Sequence, residues 1–365
     1  EFIPAAWMNK IAVSKGISSV KNGYEGLTGA VNIENKQPFE AEKFGVDLFF
    51  NHQGRSELFL TSGQQISKKF ANASFIGASF NKAKFDANQD GFLDNPLTTL
   101  INIMDKIDVR NEKLESQISI KYAYENRTGG QTNFNKSTDY NTLNHYGFGS
   151  ETNRLEFAAK SGFFLHGNEA QSLGIQVSGV YHNMDAFYGL HNYLGKEYNA
   201  NLNLIYQNII KNTNHKIAVG SSFMIDDLSE QLDSIVLKRT EIVPGIFGEY
   251  TYAFLEKITL LAGIRLDYHN QYGIQFTPRV HFRYSPTENT AIRINAGRGW
   301  RVSNPIAENI SLLVSSRNLN ILESLDKESG WNYGISFLQS FEIRKKTGSF
   351  ALDFFRTDFT SQVIV

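Results

Sequence analysis

Leu114-Glu-Ser-Gln-Ile-Ser-Ile-Lys-Tyr-Ala-Tyr-Glu125 is the stretch on which the fold turns. Leu114, Ser116, Ile118, Ile120, Tyr122 and Tyr124 share one parity, and Glu115, Gln117, Ser119, Lys121, Ala123 and Glu125 share the other. In an extended chain successive side chains point to opposite faces, so this alternation predicts a strand with one solvent on each side. The faces differ as lipid differs from water.

The same pattern spreads outward. Ile258, Leu260, Ala262, Ile264, Leu266 and Tyr268 oppose Thr259, Leu261, Gly263, Arg265, Asp267 and His269, and Phe276, Pro278, Val280, Phe282 and Tyr284 oppose Thr277, Arg279, His281 and Arg283. Similar runs fall at about 44–51, 56–65, 69–82, 97–109, 151–165, 171–184, 196–210, 214–227, 240–254, 290–300, 329–342 and 348–360. Many exceed the roughly 5 to 6 residues usual for soluble strands and suit tilted membrane strands of about 9–11 or more. Brief joins are expected near 66–68, 110–113, 166–170, 211–213, 255–256, 286–289 and 343–347, alternating with long ones at 83–96, 127–150, 185–195, 228–239 and 301–328. The joins near 52–55 and 271–273 are short where a long one was allowed. That sorting is expected of an up-and-down barrel with a short-turn rim and a long-loop rim. Tyr122, Tyr124, Tyr250, Tyr252, Phe254, Tyr284, Trp331 and Tyr333 lie where interfacial girdles would form.

Composition narrows the class further. Lys plus Arg total 36 against 37 Asp plus Glu, with no basic run, so a nucleic-acid partner is not expected. The absence of Cys removes disulfides, thiolate catalysis and Cys-based zinc sites. No apolar stretch approaches the roughly 20 residues of a membrane helix. A mean hydropathy of −0.32 suits a wall half in lipid and half in water. Glu1 at the start, and a Val/Ile-rich run still open between Ser361 and Val365, suggest an internal segment of something longer.

Before the alternation begins, residues 9–36 read as strand, glycine-rich turn and strand, with Gly16, Gly23, Gly26 and Gly29 as turn glycines. This opening, Ile11-Ala-Val-Ser-Lys-Gly16, Gly23-Tyr-Glu-Gly26 and Gly29-Ala-Val-Asn-Ile33, resembles the end of the plug domain of TonB-dependent outer-membrane receptors. Thr277-Pro278-Arg279 through Tyr284-Ser-Pro286, Gly297-Arg-Gly299-Trp300-Arg301 with Asn304-Pro305-Ile-Ala-Glu-Asn309, and Phe354-Phe355-Arg356-Thr-Asp358-Phe359-Thr resemble later parts of the same family. The resemblance implies an all-β fold: the end of a plug over residues 1–38, then a transmembrane antiparallel up-and-down β-barrel over 39–365. About fifteen of the family's 22 strands would be present. It also implies a Gram-negative outer-membrane location, lipid around the wall, a small-molecule ligand such as a metal chelate, and a TonB energy-coupling complex engaged upstream of Glu1. The implied activity is active import of a scarce solute, an iron–siderophore or cobalamin, with a glycan or peptide importer and a passive porin as alternatives. No enzyme, and no catalytic cofactor, is expected: no Gly-x-Ser-x-Gly elbow accompanies the Asp and His residues. A soluble sugar-binding β protein remains the rival outside the membrane.

Four sets of residues are candidates for sites. Asp86, Asn88, Asp90 and Asp94 occupy positions 1, 3, 5 and 9 of a calcium loop, with Gly91 at the sharp turn and the Phe92 carbonyl at position 7. Leu97 stands where the closing Glu belongs, so a structural Ca²⁺ would need another ligand, and a solvated Asx turn is the alternative. His182 and His191 lie in an aromatic-rich stretch, without the spacing of a metal pair. Arg265, Asp267, His269, Arg279, His281, Arg283, Arg293 and Asn295 line one interior strip, as an ion-pair lattice or as contacts to plug or ligand. Residues 303–316 carry a capping Ser or Asn, Pro305 and helical apolar spacing, predicting a short helix in a long loop.

Overall fold

The structure, a computed structural model, describes residues 3–165, 170–314, 317–323 and 325–364. The predicted join at 166–170, except Ala170, and the last two residues of the predicted 303–316 helix lie outside them. Strands β1 (Met8–Lys15) and β2 (Gly29–Asn35) form a separate antiparallel pair. The rest builds one 15-stranded sheet: β3 (Gly45–Phe50), β4 (Arg55–Gln65), β5 (Phe70–Asn81), β6 (Leu97–Arg110), β7 (Leu114–Gly130), β8 (Gly147–Phe164), β9 (Ser172–Tyr188), β10 (His191–Ile209), β11 (His215–Leu232), β12 (Ile235–Phe254), β13 (Ile258–His269), β14 (Gly273–Thr287), β15 (Thr290–Arg301), β16 (Glu328–Ile343) and β17 (Lys346–Ser361). Every strand pairs antiparallel with its neighbours in sequence, the up-and-down topology. Among the described residues the sheet is not closed: β3 pairs only with β4 and β17 only with β16.

Burial inverts the rule for a water-soluble sheet. On β13 Ile264 is 58% and Tyr268 53% exposed, while Arg265 is 3% and Asp267 1% exposed. Ile118, Ile120 and Tyr122 on β7 are likewise bare, with Lys121 and Glu125 covered. Across β12, β13 and β14 the bare face carries Ile246, Ile264, Leu266, Ile274, Phe276 and Val280. A continuous apolar face three strands wide is foreign to soluble monomers, whose largest patches reach about 300–600 Å². Contact with hydrocarbon would suit such a face.

One rim of the sheet has only brief joins among the described residues. At 255–256 and 344–345 two successive residues take positive φ, Leu255 at 48° and Glu256 at 57°, Arg344 at 51° and Lys345 at 64°. Such mirror-image turns match the twist of the strands they join. The other rim is mixed, which corrects the expected sorting. The joins at 185–195 and 228–239 are strand almost throughout, reversing only at Gly189-Leu190 and Asp233-Ser234. The cause is burial: Tyr188, Tyr193 and Leu232 cluster with Ala186, so this polar-looking stretch has an apolar side to cover. β12 is 20 residues long, on the order of 66 Å of chain against a hydrocarbon layer of about 30 Å. The β9–β12 hairpins therefore stand clear of any bilayer the wall could span.

Among the described residues of the predicted helix, Ala307–Val314 do turn helical, but as a 3-10 segment broken at Asn309. Ile306 and Leu313 bury completely or nearly so against Tyr188, Tyr193 and Leu232. The tall hairpins are the support on which this helix rests.

Candidate functional site

The covered face of the sheet is filled by the chain's own N-terminal segment. Trp7 buries against Ala73, Phe75 and Met104; Val20 against Ile205, Ala218 and Phe247; Tyr24 against Val243 and Trp300. The chain between β1 and β2 turns where the sequence places its glycines. Gly16 has φ of +76°, and a Cβ there would sit 2.7 Å from Asn295 Oδ1 on β15. At Gly26 a Cβ would strike the Ser18 hydroxyl at 2.1 Å. Gly23 supplies a second positive φ, and Gly29 opens β2. A side chain at position 16 would be strained by the positive φ and would crowd the Asn295 and Phe355 side chains on the wall.

Two arginines of the predicted interior strip hold this turn. Arg279 donates from Nη1 to the carbonyls of Ser18 at 3.2 Å and Ser19 at 3.1 Å, and from Nη2 to the carbonyl of Tyr24 at 2.8 Å. Arg265 pairs with Asp267 at 2.7 Å and reaches the Val20 carbonyl at 3.4 Å. Asp267 orients Arg265, and Arg265 fixes the turn. The strip is thus both an ion-pair lattice and a contact to the inner segment. Glu249, absent from the sequence reading, accepts from the Ser19 hydroxyl and pairs with Lys21 at 2.9 Å. Burial pushes the Tyr24 hydroxyl well above its ordinary pKa, so it stays protonated.

Toward the mixed rim a polar chain continues the strip. Arg239 Nε lies 2.5 Å from Glu241, whose other oxygen is 3.0 Å from His269 Nε2. Arg239 also donates to the Ser303 carbonyl at 3.2 Å and to Asn304 Oδ1 at 2.6 Å, tying the long connection after β15 to β12. Between this tie, the Asn22–Glu25 turn and the wall lies a cavity of about 480 Å³. Asn199, Asn201, Asn203, Asp226 and Glu241 line it. Its walls offer amides and carboxylates, and both of its arginines are already paired with carboxylates. Arg239 and Glu241 were not singled out in the sequence; their parity with the strip was the available signal.

The acidic loop stands apart, docked through Phe92 on Gln131 of the next long loop. Its oxygens serve the loop's own amides: Asp86 accepts from Gly91 N at 3.0 Å, Asp90 from Phe92 N at 2.8 Å and Asp94 from Ala87 N at 3.0 Å. Among the described residues no group of three or more His, Asp or Glu side chains converges as a metal site. His191 pairs with Asp233 at 2.7 Å, clamping the two tall turns together. His182 sits opposite Glu197 in the register, about 20 Å along the ladder from His191. The two histidines do not share a ligand site.

A single antiparallel wall, apolar outside and polar inside with the chain's own hairpin seated on the polar face, defines a β-barrel receptor wall. The family model described as TonB dependent receptor-like, beta-barrel matches residues 50–365, and the chain belongs to that family. Similar solved structures include a mutant of the ferric enterobactin receptor PfeA of Pseudomonas aeruginosa (TM-score 0.68, 13% identity, 98% of this chain and 59% of that one). They also include the siderophore receptor PirA of the same organism (0.66, 12%, 98% and 63%) and the alcaligin outer-membrane receptor FauA of Bordetella pertussis (0.66, 14%, 99% and 59%). The chain therefore spans about three fifths of the length of these neighbours. Comparison with curated proteins gives no match.

Proposed function

We propose that this chain is the wall and inner segment of an outer-membrane receptor that binds a scarce solute at its mixed rim and imports it actively, driven by a TonB complex. Residues 1–38 are then the end of a plug. The carrying observation is the polar face of the sheet, occupied by Trp7, Val20 and Tyr24 of the same chain. A passive pore gains nothing from filling its own passage. This reading makes the protein a transporter and not an enzyme.

An iron–siderophore chelate is the proposed solute, on the strength of neighbours described as a ferric enterobactin receptor, a siderophore receptor and an alcaligin receptor, with cobalamin next on the family resemblance alone. A glycan or peptide is the second reading, favoured by the amide row Asn199, Asn201 and Asn203 in the cavity. Amides pair with hydroxyls and peptide groups without demanding charge. Growth of a deletion strain on a ferric siderophore, cobalamin or an oligosaccharide as limiting nutrient, with and without a working TonB system, separates these readings. Undiminished growth on all of them would sink import. The acidic loop is proposed on its spacing as a Ca²⁺ stiffener, and its exposure to protease with and without millimolar calcium tests that.

A further inference from the structure

The wall has a seam, and the hairpin closes it. β14 pairs with β13 along nearly its whole length, from Tyr284 opposite Ile258 to Gly273 opposite His269. β15 pairs with β16 up to Arg301 opposite Glu328. Between β14 and β15, however, the ladder ends at Arg279 opposite Gly297, although both strands continue. Pro278 stands at the first lost rung. Without an N–H, proline weakens a ladder and is tolerated at edges and irregularities.

The backbone groups freed there find partners outside the ladder, as buried polar groups must. The Phe276 carbonyl accepts from Arg298 Nη1 at 3.1 Å, and the Arg298 carbonyl accepts from Arg279 Nε at 3.3 Å. The Trp300 N–H donates to the carbonyl of Tyr24 at 3.3 Å, the same oxygen that takes Arg279 Nη2. The rings of Tyr24 and Trp300 stack with centroids 4.0 Å apart and 9° between planes. Gly299 leaves room for this approach, since a Cβ there would lie 3.1 Å from Leu27 and 3.2 Å from the Tyr24 carbonyl. One residue beyond, Arg301 is paired with Glu308 at 2.8 Å and Glu328 at 2.5 Å, holding the root of the segment that carries the 3-10 helix.

We propose that Tyr24 is a latch: seated in the β14–β15 seam, it holds the upper end of β15 and the 301–314 segment rooted there, so that displacement of the inner hairpin releases both. Because β15 lacks β14 as a neighbour at this height, the hairpin is its support on that side. Movement on the inside is thereby coupled to a surface at the mixed rim. The coupling is a property of the solute-free molecule and stands whichever solute is carried.

Hydrogen exchange on the complete protein in lipid tests it. Tyr24→Ala should speed exchange across residues 298–314 on the order of 5- to 150-fold, the usual span of coupling between sites. Tyr24→Phe, which keeps the stack, should leave it unchanged. Coupling is reciprocal, so Glu328→Gln, which removes one of the two carboxylates that hold Arg301 at the outer root, should speed exchange over residues 18–27. If Tyr24→Ala loosens 18–27 alone, the latch is overturned. If that variant fails to assemble, Glu328→Gln decides: unchanged exchange over 18–27 overturns the proposal.

Discussion

Neighbouring residues of β13 live under opposite rules. Ile264, Leu266 and Tyr268 are bare, whereas Arg265, Asp267 and His269 are almost fully covered. Polarity alone predicts neither face; the medium against each one does. The apolar side is tolerant in shape and intolerant of charge, and the polar side depends on each partner being present.

The largest expected effect breaks the polar side. Asp267→Ala leaves the covered Arg265 without its carboxylate, and losing one partner of a buried pair costs about 3–5 kcal/mol. Unfolding by denaturant in lipid or detergent measures it, and a loss no larger than that of a surface pair would contradict the contrast. Next comes the apolar side. Ile264→Arg places a charge on the bare face, for about 2–4 kcal/mol if that position lies near the bilayer midplane and about 0–1 near its edge. The same unfolding assay thus reports depth as well as sign.

A smaller change sharpens the contact between segment and wall. Gly16→Ala puts a Cβ into a positive-φ site against Asn295 and Phe355, a strain of about 1–3 kcal/mol. It should show as faster proteolysis of residues 8–35 while the sheet stays intact. The smallest effect lies outside the wall. In the loop after β7, the Asn135 backbone amide, with the Thr138 hydroxyl and His145, holds the Asp139 carboxyl below its ordinary value. A depressed carboxylate stabilises above its unfolded pKa of roughly 3.9 and loses that contribution as pH falls through the folded one. Protection of the 135–139 amides, taken as exchange relative to the intrinsic rate at each pH, should fall only in that acid window, and Asp139→Asn should remove that step.

Most of the wall was legible because a period of two in two media writes itself into every strand. All fifteen expected runs are strands, and the glycine-rich opening is a hairpin. The tall β9–β12 turns were not legible, since Asp185, Asn192 and Glu230 look like loop residues until Ile306 and Leu313 arrive from far along the chain to cover their apolar neighbours. The arginine strip was visible, but its partners were not. Carbonyls of Ser18, Ser19 and Tyr24 carry no signature in sequence. The seam was announced only by Pro278 and by the Gly297-Arg-Gly299-Trp300 run, features equally compatible with an ordinary bulge.

The tight turns at 255–256 and 344–345 have a consequence of their own. Reversals this short fix the register of the strands they join, so neither hairpin has slack to slide against its own return strand.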